Sequence, residues 1–177
     1  LYVLNGEIVM KGDPFPKSPI LMFKLFRHCQ VAGVRPCWTT LQAVCRNLHL
    51  LDRSQLDAPQ VARIFKEILS SHGAARTLRY MHEAGLLGKL IPEFEELTCL
   101  IQDDLYHHYS VDEHTLRVIG RLEDLIDTQE EELMELSSIL KRIHDLWSLK
   151  LALLLHDIGK VEGRGHAKKG VKISVRI

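Results

Sequence analysis

Leu151-Ala152-Leu153-Leu154-Leu155 runs without a break into His156-Asp157-Ile158-Gly159-Lys160. Five consecutive apolar residues cover every side of a helix, so the pattern predicts a helix buried all round, with a histidine and an aspartate at its buried end. An ionised carboxylate in such a place is costly unless a cation or strong donors compensate it. Two solutions are open from these residues alone. A divalent metal is one, since a neutral imidazole and a carboxylate are both good ligands for first-row ions. A locally capped or paired Asp157 beside a satisfied core histidine is the other.

Further residues bear on that choice. Lys160 follows His156 by four positions and Asp157 by three, so continued helix puts its ammonium on their face, suited to gripping a phosphate. His114 lies forty-two residues before His156, a separation that lets an antiparallel helix pair bring the two imidazoles together. His166, nine residues after Asp157 and next to Gly165, is a further candidate.

The rest of the chain is helical in rhythm after an extended start. Leu1–Asn5 and Glu7–Met10 flank Gly6, and Gly12-Asp13-Pro14-Phe15-Pro16 closes the segment, which reads as a small hairpin. Ser18-Pro19 is expected to cap a helix through Ile20, Phe23, Leu25 and Phe26 to Gly33. Thr39 or Thr40 begins another, through Leu41, Val44 and Leu48. Asp57 precedes a third, with Val61, Ile64, Phe65, Ile68 and Leu69 on one stripe and Gly73 past its end. A fourth runs from about Ala74 to Ala84, with Gly85 as C′ residue. Ser110-Val111-Asp112-Glu113 has the form of a capping box opening a helix through Val118, Ile119, Leu122, Leu125 and Ile126. Seven acids and no base lie between Glu123 and Glu135, which reads as a solvated face or connection. A helix ending near His144 follows, and then Ser148 is expected to cap Leu149–Gly159. A basic stretch, Lys160 to Arg176, closes the chain, with no C-cap at Ile177. The fold class is all-α apart from the short extended start, with no internal repeat.

Composition narrows the function. The 177 residues are 46% hydrophobic and 26% charged, ordinary for a globular protein. Lys plus Arg (23) balance Asp plus Glu (23), which disfavours a globally basic nucleic-acid binder. No apolar run is long enough to span a bilayer, and no secretory signal opens the chain. Cys29, Cys37, Cys45 and Cys99 form no CxxC pair and are read as reduced core thiols of a cytoplasmic protein. A start without Met is read as the mark of a piece of something longer.

The histidine followed at a distance by His-Asp and Gly-Lys resembles the HD superfamily of metal-dependent phosphohydrolases. More specific are Met81-His82-Glu83-Ala84-Gly85-Leu86-Leu87-Gly88, Leu90-Ile91-Pro92-Glu93-Phe94 and Tyr106-His107-His108-Tyr109-Ser110-Val111-Asp112-Glu113-His114-Thr115-Leu116-Arg117. Together with Leu25-Phe26-Arg27 and Leu50-Leu51-Asp52, these are similar to the middle of the bifunctional protein-PII uridylyltransferase/uridylyl-removing enzymes, over nearly the whole chain.

That resemblance implies a helical connector over 1–100 packed on a partial HD-domain helical bundle, the first part of an HD domain, over 101–177. Enzymes of this kind join a nucleotidyltransferase domain, the connector, the HD domain and two glutamine-sensing ACT domains. The transferase moves UMP from UTP to a tyrosine of the PII signalling protein, and the HD domain removes it by hydrolysis. Carried over by motif, the metal ligands are His114, His156 and Asp157, for a divalent ion (Mn, Mg, Fe, Co or Zn). In that scheme activated water attacks the phosphorus and Lys160 stabilises charge on the non-bridging oxygens. His166 contacts phosphate, ligates a second ion or protonates the leaving phenolate. His107 and His108 are assigned to packing, and His82 to structure.

The sequence departs from the family pattern in two ways. The Gly-Ser and paired-aspartate signature of the transferase is missing, so UMP addition lies outside this chain. No Asp follows Asp157, so the last HD ligand is missing too, and this piece alone is expected to be inactive. Two alternatives stand beside this reading: another HD phosphohydrolase or tRNA nucleotidyltransferase relative, and a non-catalytic helical scaffold that has lost its metal.

Overall fold

The computed structural model describes residues 1–101, 109–162 and 165–176. They divide into two compact units, Leu1–Glu95 and Glu96–Ile177. The fold is mostly α, with one small sheet at the start of the chain.

In the first unit the hairpin forms as its residues dictate. Strand β1 (Tyr2–Leu4) pairs antiparallel with β2 (Glu7–Val9), with Leu4 opposite Glu7. The two turn residues, Asn5 and Gly6, have φ of 50° and 76°, the pair of positive values that a tight primed hairpin turn requires. A third strand, β3 (Arg35–Pro36), joins parallel to β2. Two residues are too short for any alternation to show, and the sequence reading did not foresee it. Pro36 has no N–H to give, so Cys37 N–H donates to Ile8 O at 3.0 Å instead.

Helix α1 (Leu21–Ala32) begins two residues later than the Ser18-Pro19 reading placed it. Leu21 N–H bonds to Ser18 O and Met22 N–H to Pro19 O, so the chain enters through a tight turn and Ser18 makes no side-chain cap. The end is as expected. Val34 N–H reaches Cys29 O and Gly33 N–H reaches Gln30 O, closing a Schellman motif. Helix α2 (Trp38–Asn47) starts from Cys37, ahead of both threonines. A four-residue helix, α3 (Arg53–Leu56), was not foreseen, although Asp52 and Gln55 build a full capping box for it. Helix α4 (Pro59–Ser70) carries proline at N1, and α5 (Ala74–Glu83) follows. Gly88 and Pro92, residues that often break helices, do not make a connection here. They sit in two short helices, α6 (Leu86–Leu90) and α7 (Pro92–Glu95).

The core of this unit contains most of the predicted stripes, although Phe65 is only half-buried, and adds Met22, Leu78 and Met81 to them. Met22, Phe23, Leu25 and Phe26 of α1 are buried, as are Val61, Ile64, Ile68 and Leu69 of α4 and Leu78 and Met81 of α5. Each such side chain contributes roughly 1.5–3 kcal/mol by leaving water. His82 meets Phe94 edge-on, with centroids 5.5 Å apart.

The second unit is built on α8 (Val111–Ile126), α9 (Met134–Lys141), α10 (Leu146–Leu155) and α11 (His166–Ser174). Ser110 is the N-cap of α8, but its side chain makes no capping bond. Glu113, the other half of the expected box, instead accepts from Arg117 at 2.6 Å. An ion pair one turn along the helix competes for the carboxylate that the box needed.

Helix α9 ends at Lys141, three residues short of His144. Helix α10 starts from Asp145, with Ser148 inside it and bonded back to Asp145 Oδ2 at 2.7 Å. Nor is α10 buried all round: Leu154 and Leu155 are, whereas Leu151 and Leu153 are half-buried and Ala152 is exposed. The thiols also divide, Cys29 and Cys37 being buried and Cys45 and Cys99 exposed.

Candidate metal centre

Helix α8 supplies His114 from its first turn, and α10 delivers His156 and Asp157 just past its last residue. The two helices pack together, and running them in opposite directions brings the start of one to the end of the other. His114, His156 and Asp157 consequently each offer a ligand atom within 4.8 Å of the others. The two imidazole centroids are 5.8 Å apart and tilted by 52°.

The helix stops at Leu155, so the His-Asp pair lies in a turn and not on a continuing helical face. Lys160 still returns to Asp157, because its N–H bonds to Asp157 O at 2.9 Å and its ammonium reaches Asp157 Oδ2 at 2.9 Å. Behind this turn lies α11. A Cβ on Gly159 would stand 2.2 Å from His166 O and 2.5 Å from Gly170 N, so only glycine permits that approach.

Each imidazole nitrogen of His156 has a partner. Nδ1–H donates to Leu153 O at 2.7 Å, and Nε2 sits 3.0 Å from Asp157 Oδ2. The backbone bond at Nδ1 orients the ring and leaves Nε2 facing the cluster, the arrangement in which a ligating histidine is held by a second partner. The hydrogen bond to Asp157 raises the imidazole pKa above its ordinary value, against an opposing push from partial burial. For Asp157, burial is the largest influence and pushes upward. Hydrogen bonds from His156 and Lys160 together outweigh it, and the carboxyl falls to about 2.

Asp157 is therefore buried and locally paired, as one sequence reading allowed, but His156 beside it is exposed and not a core histidine; His114 is brought to the pair as well. The donor set fits a first-row divalent ion: two imidazoles and one carboxylate from three positions, with nothing softer among them. His166 heads α11, is exposed and is not in the cluster of three. Tyr106, His107, His108 and Arg164 lie outside the described residues, as does Ile177.

Sequence reasoning missed one polar contact between the same two helices, α8 and α10. Glu123, assigned with the acidic run to a solvated face, is buried and paired at 2.8 Å with Lys150. The other six acids of that run are exposed. The available signal was Lys150 itself, a lone charge in an otherwise leucine-rich helix.

Fold and site together define a helical protein with a cluster of two histidines and one carboxylate at the meeting of two antiparallel helices. Residues 3–90 match the family described as "Uridylyltransferase GlnD third domain". The chain is also similar to curated proteins named "Bifunctional uridylyltransferase/uridylyl-removing enzyme". That of Nitrobacter hamburgensis is 34% identical over 167 residues, covering 93% of this chain and 18% of the relative. That of Bradyrhizobium diazoefficiens is 32% identical over 98% of this chain and 19% of the relative, and that of Cereibacter sphaeroides 34% identical over 99% and 19%. The chain belongs to this family of bifunctional uridylyltransferase/uridylyl-removing enzymes, and spans about a fifth of the length of these relatives. The cluster lies outside the segment matched by the third-domain family.

Proposed function

We propose that residues 96–177 carry part of an HD-type, metal-dependent phosphohydrolase centre. Its task is to hydrolyse UMP from the uridylylated tyrosine of a PII signalling protein, in the cytoplasm. The convergence of His114, His156 and Asp157 within 4.8 Å carries the reading, and the activity named for the relatives suggests the uridylyl group as substrate. We further propose that 1–95 serves as the helical connector to a nucleotidyltransferase domain, and that glutamine acts through ACT domains elsewhere in the enzyme.

A divalent ion (Mn, Mg, Fe, Co or Zn) held by His114, His156 and Asp157 would supply Lewis-acid polarisation of a phosphoryl oxygen and a lowered pKa for water. The remaining tasks fall to the protein. The Leu153 carbonyl fixes the His156 ring and keeps Nε2 turned to the cluster. Lys160 holds Asp157 in place and brings positive charge to where the non-bridging phosphate oxygens gain negative charge. His166, exposed at the head of α11 and outside the cluster of three, keeps the roles of phosphate contact, second-ion ligand or proton donor to the leaving phenolate.

The test is made in the full-length enzyme. His114→Ala and Asp157→Ala are expected to abolish release of UMP from uridylylated PII while leaving UMP addition intact. Wild-type rates of UMP release in both variants would overturn the reading.

A further inference from the structure

The buried pair Glu123–Lys150 takes no part in that chemistry. Lys150 Nζ donates to Glu123 Oε1 at 2.8 Å, and the two side chains are only 4% and 10% exposed. It joins α8 to α10, the same two helices that carry His114 and His156. Two charges buried this way are no more stabilising than apolar side chains of the same volume, so cohesion alone does not account for the pair.

Register does account for it. Around Lys150 the sequence of α10 is Leu146-Trp147-Ser148-Leu149 and Leu151-Ala152-Leu153-Leu154-Leu155, with leucines on all sides. Leucine contacts are non-directional, and such a helix packs nearly as well after a slide or a turn about its axis. An ammonium and a carboxylate meet at one position only. A slip of one residue moves a side chain by about 1.5 Å and 100°, whereas a metal site tolerates about 0.2 Å in its ligand distances. Glu123 follows His114 by nine residues and Lys150 precedes His156 by six, about 13.5 and 9 Å of helix; the difference of about 4.5 Å is spanned by the long Glu and Lys side chains, so both contacts constrain the same antiparallel pairing.

We infer that Glu123 and Lys150 are positioning residues, which lock α10 against α8 in the one register that brings His114 to His156 and Asp157. The functional value of that lock rests on the metal-centre reading, but the lock can be read without metal.

The test compares the chain with Glu123→Met/Lys150→Met and with the reversed pair Glu123→Lys/Lys150→Glu. Three measurements are made: thermal melting by circular dichroism, the nuclear Overhauser effect between the His114 and His156 ring protons, and Mn(II) affinity by calorimetry. The double Met variant is expected to melt at or above the wild-type temperature, lose the ring-to-ring signal and bind Mn(II) at least tenfold more weakly. The reversed pair is expected to restore signal and affinity. A folded double Met variant with the full ring-to-ring signal overturns the inference, as does a wild-type chain without that signal. If the double Met variant does not fold, the reversed pair decides: folded with the signal supports the inference, folded without it overturns it. Failure of both to fold makes the pair a general folding requirement and also overturns it. A wild-type chain that shows the signal but takes up no Mn(II) sinks the metal reading and leaves the register inference standing.

Discussion

Lys160 Nζ and Asp157 Oδ2 lie 2.9 Å apart, joined across a turn whose backbone is closed by the Lys160 N–H on the Asp157 carbonyl. The same carboxylate oxygen faces His156 Nε2 at 3.0 Å, so one oxygen carries much of the local charge balance. Lys160→Met should let the Asp157 carboxyl rise toward its ordinary range, read by carbon-detected NMR titration. In the full-length enzyme it should also lower the rate of UMP release by about 100-fold, the scale of one lost donor to a developing oxyanion. An unchanged Asp157 titration would contradict the pairing.

Acid stability should report the same site. Asp157 has a folded pKa of about 2 against an ordinary 3.8, so its contribution is fully present above 3.8 and is lost as pH falls through 2. The melting-temperature gap between wild type and Asp157→Asn should therefore be constant from about pH 5 to 6, close between about pH 4 and 2, and narrow again above 6.5, where the imidazole that Asp157 helps to keep protonated loses its proton. His156 works in the opposite sense. Its raised pKa gives stability that is present below 6.5 and lost as pH rises through the folded value. His156→Gln should flatten the alkaline side of the profile.

Gly159 of the His-Asp turn packs against the α11 backbone at His166 and Gly170. Gly159→Ala puts a Cβ against backbone on both sides, and should cost about 1–3 kcal/mol by overpacking. Gly170→Ala meets its nearest atom at 3.3 Å and should cost less. Urea unfolding of the two variants gives the comparison; equal costs would mean the turn yields freely.

The thiols offer a direct check on the first unit. Burial pushes the Cys29 thiol up to about 12, and its side chain lies on the buried face of α1. At pH 8 a thiol reagent should label Cys45 and Cys99 quickly and leave Cys29 unmodified until the protein is unfolded. Rapid labelling of Cys29 in the folded chain would show that the core is not closed there.

Much of the fold was readable because the cues are local. Asn5-Gly6 can turn a hairpin on its own backbone preferences, and the stripes of α1 and α4 show their buried faces by spacing alone. Boundaries were less legible at Ser18 and Ser148, where hydroxyls of the right kind are present and the chain uses others or none. The box at Ser110 and Glu113 was undone by Arg117, four residues on, a competitor visible in the sequence but with no rule to say which partner wins.

The amino-acid order by itself determined a mostly helical chain, its family, and three side chains of the right chemistry to share an ion. Only the tertiary structure decided that His114 reaches His156, that α10 stops before the His-Asp pair, and that one acid of a seemingly solvated run is buried on Lys150. Local patterns are written in residues within a turn or two of each other, whereas these contacts join positions 27 and 42 residues apart, where the packing of two helices sets the distance.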